Sequence, residues 1–493
     1  MGWKLSAFAA TGALLTSAAQ AQSPAPKPLG LDLKPCTLPG SQDQLRCGTF
    51  TVLEDRAKPN GRRLSLKVIV VPARAAQPKE PIFVLSGGPG QAASEQAQYL
   101  VDNPQREVRD VVAMDLRGTG EGTRLDCDVG QDDARLQTFV EPLFADPAPW
   151  RACRERLERT ADLTQYTTPV SMQDLDELRA AMGYRQVYLY GGSYGSRAAL
   201  AYIHAYGANV RGAFLSGIAP MEDRAPLYHA ASAQRAFDRI VAQCRAEPAC
   251  HAAYPDPQAD LDAIRDALRR QPARVKVKHP ATGAEGELVL SEPGFGDGLR
   301  VMLYSEETGR RVPLMLQRAR GGDYAPFAQA AVSSGYNFRK ALAMGLLLSV
   351  SCPEDLWRIH PEEIATTVGN SFIGDRRVRG QLAACGAWPK HRLPASFYEP
   401  FVSDVPVVLV SGDLDPVTPP HWGETMKRSF RHAVHIVVPG AHVSDNPCID
   451  AITNQFFTSG KVEGLDTSCV AKLTNPPFVL PDQTDKPAAS SSD

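Results

Sequence analysis

The stretch VYLYGGSYGSRAALAYIHAY, residues 187–206, places Ser193 between glycines at the point where an apolar run gives way to a helical pattern. Its segment Gly191-Gly192-Ser193-Tyr194-Gly195 fits the pattern Gly-x-Ser-x-Gly, which holds a serine on a sharp strand-to-helix turn and exposes its hydroxyl. Ser193 is therefore a candidate nucleophile. The alternative is that Ser193 is only a small residue in a tight turn, because the motif is short.

Strand-like and helical segments alternate on both sides of this turn. RQVYLY (185–190) leads into it, and VRGAFLSG (210–217) follows its helix. SMQDLDELRAAMG (171–183) predicts an earlier helix with Ser171 as its N-cap. Upstream, segments rich in Val, Ile and Leu predict four strands: GTFTVLE (48–54), RLSLKVIVVPA (63–73), PIFVLSGG (81–88) and RDVVAMDLRG (109–118). This alternation predicts an α/β fold with a mostly parallel sheet and crossover helices.

The pattern changes after residue 220 and returns near residue 400. Helical stretches such as APLYHAASAQRAFDRIVAQCR (225–245) and one hairpin, RVKVKHPATGAEGELVLSE (274–292), fill the middle of the chain. Strand patterns resume in VPVVLV (405–410) and AVHIVV (433–438). We therefore expect a signal peptide (1–21), a first part of the core (22–220), a mainly helical cap insertion (221–400), a second part of the core (401–475) and a disordered tail (476–493).

The overall composition is that of an ordinary globular protein. The 493 residues are 43% hydrophobic and 22% charged, with a net charge of −2. This balance argues against a nucleic-acid partner, because the chain has no block rich in Lys and Arg. It also lacks an apolar run long enough to cross a bilayer, so no membrane role is expected.

The N-terminus predicts export. MGWKLSAFAATGALLTSAAQAQ (1–22) has an early lysine, an apolar core and the small-x-small site Ala19-Gln20-Ala21, which predicts a signal peptide cleaved after Ala21. The alternative is a disordered, Ala-rich tail. We expect a periplasmic or secreted protein.

The ten cysteines fit an exported protein, because an even number in such a chain indicates disulfides. They fall into five neighbouring pairs, although free buried thiols are the alternative for some of them. The predicted bonds are Cys36–Cys47, Cys127–Cys153, Cys244–Cys250, Cys352–Cys385 and Cys448–Cys469. No C-x-x-C or clustered His/Cys spacing indicates zinc, so we expect no metal.

A serine nucleophile needs a base within hydrogen-bond reach and an acid that orients that base. Asp415 follows the strand pattern VPVVLVSG, and His442 follows HIVVPGA. Both lie just beyond the carboxyl end of a predicted strand, where open α/β sheets place their ligand crevice. Asp413 is a rival acid in the same loop. His442 is the one nearby histidine on the loop after its strand, since His435 lies within that strand and His432 before it.

The reaction also needs donors for the oxyanion of a tetrahedral intermediate. Gly87-Gly88-Pro89-Gly90 follows an apolar strand, where glycine backbone can approach a substrate closely. We expect the backbone N–H groups of Gly88 and Tyr194 to be this pair. A plain Gly-Pro-Gly turn is the alternative. This chemistry requires no organic cofactor and no metal.

Five ordered motifs resemble the secreted tripeptidyl aminopeptidases and prolyl iminopeptidases, which are serine exopeptidases of the α/β-hydrolase fold. They are SGGPGQ (86–91), DLRGTGEGT (115–123), GGSYGS (191–196), GDLDPVTPP (412–420) and GAHV (440–443). Two flanking segments, TTPVSMQDLDELRAAMGY (167–184) and CGAWP (385–389), are similar to the tripeptidyl branch. Ser86 stands where prolyl iminopeptidases usually carry His, which argues against strict prolyl iminopeptidase specificity.

The resemblance implies an α/β-hydrolase fold with a helical cap and a catalytic triad of Ser193, Asp415 and His442. It selects Asp415 over Asp413, because the family's aspartate stands just before the Pro-x-Thr-Pro stretch. It also implies cap carboxylates that bind the free N-terminal ammonium of a peptide. Among these we expect Glu354, since a disulfide at Cys352 would fix its loop.

Three functions are compatible with these residues. The leading one is an exported aminopeptidase that cleaves short units from peptides with free N-termini. The second is a carboxylic-ester hydrolase with the same triad, because a fold and a triad do not choose between acyl groups. The third is a non-catalytic binding protein on a hydrolase scaffold, which the intact triad candidates argue against.

Overall fold

The computed structural model describes residues 30–443 and 445–481. The predicted signal peptide, residues 1–21, therefore lies outside the described residues, as do residues 482–493 of the predicted tail. Within the described ranges, no helix is both long enough and apolar enough to pass through a bilayer.

Nine of the eleven described strands form one sheet, in the order β1-β2-β3-β5-β4-β6-β7-β10-β11, and β8 and β9 form a separate hairpin. The strands are β1 (Leu31–Cys36), β2 (Leu45–Leu53), β3 (Arg63–Val71), β4 (Lys79–Leu85), β5 (Arg109–Met114), β6 (Val187–Gly192), β7 (Val210–Ser216), β8 (Ala273–Lys278), β9 (Glu285–Leu290), β10 (Val407–Gly412) and β11 (Ala433–Val438).

Sixteen α-helices connect and cover these strands in the part of the chain that the structure describes. They are α1 (Ala97–Val101), α2 (Ala148–Leu157), α3 (Thr168–Ala181), α4 (Tyr194–Tyr206), α5 (His229–Ala246), α6 (Pro248–Ala253), α7 (Pro257–Arg270), α8 (Glu292–Met302), α9 (Glu306–Gly309), α10 (Val312–Arg320), α11 (Ala325–Lys340), α12 (Met344–Glu354), α13 (Pro361–Val368), α14 (Arg376–Gly386), α15 (Pro420–Lys427) and α16 (Pro447–Ser459).

The sheet is mostly parallel, as the alternating pattern predicts. Strands β5, β4, β6, β7, β10 and β11 are parallel neighbours, whereas β1, β2 and β3 are antiparallel. Central strands such as β5 and β10 are buried along their whole length, which explains the apolar runs VVAM and VVLV within them, because helices cover both faces of a parallel sheet. The carboxyl ends of β6, β10 and β11 lie at one edge, and the loops that carry the predicted triad begin there.

Ten helices and the β8–β9 hairpin occupy the segment 221–400, between β7 and β10 in the chain. This segment has its own apolar core, in which the rings of Phe295 and Phe327 stack with centroids 3.9 Å apart. Helices α8, α12 and α14 of this segment contribute residues to the cavity described below. The cap therefore packs as a second apolar unit above the carboxyl edge of the sheet.

Two boundaries differ from the sequence-based predictions. Helix α3 begins at Thr168, and Thr167 rather than Ser171 is its N-cap residue. The Glu354 carboxylate accepts a 2.7 Å hydrogen bond from the backbone N–H of Thr168, and a carboxylate at a helix N-terminus favours this earlier start. The tail prediction is wrong for residues 476–481, because Phe478 and Val479 are buried in the core of the cap.

The structure contains five disulfides, and they join the pairs that the order of the cysteines predicts: Cys36–Cys47, Cys127–Cys153, Cys244–Cys250, Cys352–Cys385 and Cys448–Cys469. Each closes a loop of 6 to 33 residues. Cys352–Cys385 links α12 to α14, two helices that line the cavity.

The motif DLRGTGEGT contributes a fully buried arginine to the core. Arg117 donates two hydrogen bonds to Asp174, from Nε at 2.6 Å and from Nη2 at 2.8 Å. Its other donors bind the carbonyl oxygens of Leu53, Glu54 and Gln165. Arg117 therefore ties the end of β2 to α3, the helix that precedes the strand of the Gly-x-Ser-x-Gly turn.

We predict that Arg117→Gln lowers the free energy of unfolding by about 3–5 kcal/mol, because it leaves the buried Asp174 without its bidentate partner. The measurement is the urea unfolding midpoint with the disulfides intact. Arg431→Gln is the matched control, since its 2.8 Å pair with Asp404 is exposed and such pairs contribute about 0–1 kcal/mol. Equal shifts in the two variants would contradict this role for Arg117.

Candidate active site

Ser193 lies in a strained turn between β6 and α4. Its backbone φ is 56° and its ψ is −126°, a conformation that costs a non-glycine residue on the order of 1–3 kcal/mol. Close packing accompanies the turn: a Cβ on Gly195 would lie 2.1 Å from the carbonyl oxygen of Leu85, and one on Gly191 would lie 2.5 Å from that of Gly195. Glycine is therefore required at 195 for α4 to approach β4, and at 191 for the tight turn from β6 into α4.

The structure brings Asp415 and His442 together. The Nδ1 atom of His442 lies 2.8 Å from Oδ2 of Asp415, a carboxylate that is fully buried. Burial by itself would raise the pKa of Asp415, but the charge and hydrogen bond of His442 and the backbone N–H groups of Thr418 and Val417 outweigh it, so the pKa is lowered. Asp415 is thus held ionised, which stabilises a positive charge on His442.

Asp413 faces a different set of partners. Its Oδ1 accepts a hydrogen bond from the backbone N–H of Gly440 at 3.1 Å, and its Oδ2 pairs with Arg239 at 2.7 Å. This arrangement fixes the two loops that follow β10 and β11. The geometry therefore favours Asp415 as the partner of His442.

Thr418 is a member of this cluster that our sequence reasoning missed. Its hydroxyl donates to Oδ2 of Asp415 at 2.7 Å and lies 3.1 Å from Nδ1 of His442. Its backbone N–H donates to the other carboxylate oxygen at 2.8 Å. Thr418 thereby fixes the orientation of the carboxylate. The signal was present in the sequence, since Thr418 belongs to the stretch Pro-Val-Thr-Pro that marks the acid loop.

A cavity of about 710 Å³ opens above Ser193. His442, Gly88 and Tyr194 line it together with Ser193. Tyr194 is the first residue of α4, where backbone N–H groups have no acceptor within the helix. Gly88 has a φ of +115°, and a Cβ on the adjacent Gly87 would lie 3.5 Å from Cβ of Ser193. The glycine-rich loop and the helix N-terminus therefore flank the serine, as an oxyanion site requires.

Glu354 does not line the cavity, which corrects the sequence-based assignment. Its Oε1 accepts from the backbone N–H of Thr168 at 2.7 Å, and its Oε2 accepts from the hydroxyl of Thr168 at 2.8 Å. The same hydroxyl lies 2.8 Å from the phenol oxygen of Tyr194. Glu354 therefore anchors α3 and the ring of Tyr194 beneath the cavity, and both of its oxygens are used.

Two other cap carboxylates line the cavity. Asp355 is paired with Arg197 at 2.5 Å. Asp223 is 1% exposed, and its Oδ1 atom has no hydrogen-bond partner among the described residues. Burial raises the pKa of Asp223 to about 7, and the nearby charge of Arg197 opposes the rise. Asp223 therefore places a carboxylate in the wall of the cavity, and no described residue hydrogen-bonds to its Oδ1 atom.

Within residues 30–443 and 445–481, no group of three or more His, Cys, Asp or Glu side chains is arranged to hold a metal ion. The cavity instead combines a hydroxyl, an oriented imidazole and backbone donors, with an apolar wall that includes Leu342, Leu347 and Val350. This set of groups can carry out acyl transfer through a covalent serine intermediate.

Residues 80–444 match the family model described as the alpha/beta hydrolase fold. The chain is also similar to a tripeptidyl aminopeptidase of Streptomyces lividans, with 22% identity over 95% of this chain and 90% of that protein. A putative hydrolase YuaR of Escherichia coli K12 is 22% identical over 87% of this chain and 89% of its own length. The serine protease Hip1 of Mycobacterium bovis is 24% identical over 86% of this chain and 87% of that protein.

We predict that Asp415→Asn lowers kcat by roughly 10⁴-fold, because an amide at this position favours the wrong tautomer of the histidine. The measurement is kcat on the best fluorogenic substrate, with folding checked by the unfolding temperature. Asp413→Asn is the matched control and should keep kcat within about threefold, since Asp413 only fixes neighbouring loops. A larger loss in Asp413→Asn than in Asp415→Asn would reverse the assignment of the acid.

Proposed function

The chain belongs to the alpha/beta hydrolase fold family, and from that premise we propose that it is an exported serine exopeptidase. It acts on peptides with free N-termini and releases tripeptides or other short N-terminal units. The proposal rests on the cavity above Ser193, in which a buried carboxylate lies within the same space as the nucleophile. The similarity to a tripeptidyl aminopeptidase along most of both chains supports it.

Three side chains carry the reaction. The hydroxyl of Ser193 attacks the scissile carbonyl while His442 takes its proton. His442 then gives that proton to the leaving amine, and the acyl-enzyme is released when His442 activates a water molecule. Asp415 stabilises the protonated imidazole through its 2.8 Å contact with Nδ1.

The backbone N–H groups of Gly88 and Tyr194 bind the oxyanion. Removal of one such donor typically raises the barrier by about 2.7–4 kcal/mol. The buried hydrogen bond between the Tyr194 phenol and Thr168 holds the first turn of α4 in place, so the donor at Tyr194 is fixed before substrate binds. The ring of Tyr194 thus supports the function of its own backbone.

Asp223 is the observation that carries the aminopeptidase proposal. A buried carboxylate with a free oxygen is costly unless a charged or hydrogen-bonding partner occupies it. A free peptide N-terminus supplies an ammonium, and the proximity of Asp415 to Asp223 puts this carboxylate near the reacting groups. We assign the ammonium to Asp223, because the charge of the neighbouring Asp355 is already compensated by its pair with Arg197.

The esterase alternative uses the same triad but gives no role to Asp223, because a simple ester has no ammonium. A non-catalytic binding protein would have no use for an oriented Asp415–His442 pair. Export is supported by the five disulfides, which persist in oxidising compartments such as the periplasm or the exterior of the cell.

We predict that peptides with a free N-terminus are cleaved with a kcat/KM at least about 100-fold above that of their N-acetylated forms, because acetylation leaves Asp223 unpaired. A panel of tripeptidyl and single-residue coumarin amides measures this ratio and the length released. Asp223→Asn should reduce the ratio to a few-fold, and Ser193→Ala should abolish turnover. Equal rates on free and acetylated peptides would exclude the aminopeptidase and favour the esterase.

The pKa of Asp223 predicts a pH window for this preference. Below about pH 7 Asp223 takes up a proton and loses its charge, and above about pH 8 the peptide N-terminus becomes neutral. The ratio of kcat/KM for free over acetylated peptides should therefore be highest between these values. In Asp223→Asn, the fall of this ratio on the acidic side of its pH profile should disappear. An unchanged fall in the variant would mean that another group takes up the proton.

A further inference from the structure

The wall of the cavity formed by α8 and α14 carries two arginines without a matching set of acids. Arg377 lines the cavity and makes no hydrogen bond or ion pair with any residue that the structure describes, although its guanidinium lies 4.6 Å from the ring centroid of Phe144. Arg300 is 3% exposed, and its Nε has no partner within hydrogen-bond distance. Both cations therefore have donors left over for a bound molecule.

The charges around these arginines do not cancel. Asp297 is the acid near them, and its carboxylate lies 4.0 Å from Nε of Arg300. Arg339 lies behind the same wall and donates to the backbone carbonyls of Thr138 and Glu141. Burial and the neighbouring charge of Arg300 lower the pKa of Arg377 to about 10, while the charge of Asp297 opposes the shift. Arg300, Arg339 and Arg377 thus share Asp297, and Glu141 acts on Arg339 as well.

A third polar group faces the same space. His229 lines the cavity, and its buried Nδ1 has no hydrogen-bond partner among the described residues. Burial and the charges of Arg300 and Arg377 hold its pKa well below the ordinary value, so it is a neutral hydrogen-bonding group at physiological pH. An anion placed between these side chains would meet two cations and a neutral imidazole.

The cluster is connected to the catalytic histidine through one side chain. Nη1 of Arg300 donates to the phenol oxygen of Tyr304 at 3.2 Å. The ring of Tyr304 packs edge-on against His442 with centroids 5.1 Å apart, and the backbone N–H of His442 donates to the Tyr304 carbonyl at 3.3 Å. Direct contacts through Tyr304 therefore link Arg300 to His442.

We infer that Arg300 and Arg377, with His229, form a subsite for a carboxylate of the substrate. The inference rests on the proposed peptidase function and adds a second charged anchor to the one at Asp223. In a peptide the carboxylate comes from an Asp or Glu side chain or from a free C-terminus. The planar guanidinium suits either source, because it matches a carboxylate with two parallel hydrogen bonds.

If these arginines only stabilised the fold, Arg377→Gln would lower the unfolding temperature. A binding role predicts no such loss. A buried cation without a partner destabilises the fold, so Arg377→Gln should leave the unfolding temperature unchanged or raise it. Arg376→Gln is the matched control on the same helix, since Arg376 pairs with Glu292 at 3.1 Å and does not line the cavity. Selectivity, rather than stability, is the property that the Arg377 variant should lose.

The test compares matched substrates on the wild type, Arg377→Gln and Arg376→Gln. One set consists of tripeptidyl coumarin amides with Glu or Gln at each of the three positions. The other consists of tetrapeptides with a free or an amidated C-terminus, followed by chromatography. We expect the wild type and Arg376→Gln to prefer the carboxylate in at least one set by on the order of 10- to 100-fold in kcat/KM, the ratio typical of a hydrogen bond to a charged group. Arg377→Gln should reduce it to about threefold or less.

Each outcome has a definite meaning. A preference for Glu identifies a side-chain carboxylate, and a preference for the free C-terminus identifies the chain end. Three results would overturn the subsite: no preference in either set, an equal loss in Arg376→Gln, or a loss in Arg377→Gln that affects neutral substrates as strongly as charged ones.

Failure of the proposed function can be recognised separately. If no peptide is cleaved, calorimetric binding of the same acid and amide pairs to Ser193→Ala tests the subsite without turnover. Tighter binding of the acid by tenfold or more, lost when Arg377→Gln is added, would support the carboxylate subsite on a hydrolase with another reaction. Equal binding of acid and amide would reject it.

Discussion

The close contact between α4 and the end of β4 is the constraint on which the site depends. Only glycine at position 195 allows the helix to approach the Leu85 carbonyl, since a Cβ there would lie 2.1 Å from that oxygen. This approach puts Ser193 into its strained conformation and brings the first N–H of α4 beside the glycine-rich loop after β4. The strain is local, but the whole parallel sheet holds it in place.

The cavity contains polar groups that the fold itself does not satisfy. Asp223, His229, Arg300 and Arg377 each have an atom without a hydrogen-bond partner among residues 30–443 and 445–481, and all four line the same space. Buried Arg117, by contrast, makes a bidentate contact with Asp174, although Arg106 and Arg109 outside the cavity also keep an Nε without a partner. Unpaired buried charge costs folding free energy, so a bound molecule that supplies partners to these four groups would offset part of that cost.

The sequence predicts the parts of this site that depend on local geometry. Ser193, Asp415 and His442 each follow a strand of the main sheet, so strand patterns and loop motifs make them candidates, and the family resemblance chooses Asp415 over Asp413. Glu354 was misassigned because its partner, Thr168, lies 186 residues away, and no periodicity reveals which side chain a carboxylate will meet across the cap. The same contact explains why α3 begins at Thr168 and not after Ser171, as the sequence predicts. Phe478 and Val479 likewise pack into the apolar core of the cap, which lies far from them in the sequence and is not evident from the pattern of the tail.

The sheet and the cap divide the work of the site, and Arg197 joins them. It lies on α4, four residues after Ser193, and donates to the carbonyl oxygens of Ala219 and Pro220. Its Nη1 pairs with Asp355, which directly follows α12 in the cap. The helix that positions Ser193, the proposed nucleophile, therefore also positions cap residues that line the cavity. Both side chains of the Arg197–Asp355 pair are buried. A movement of the cap that broke this pair would leave an unpaired buried charge on α4, one turn after Ser193, and would cost free energy.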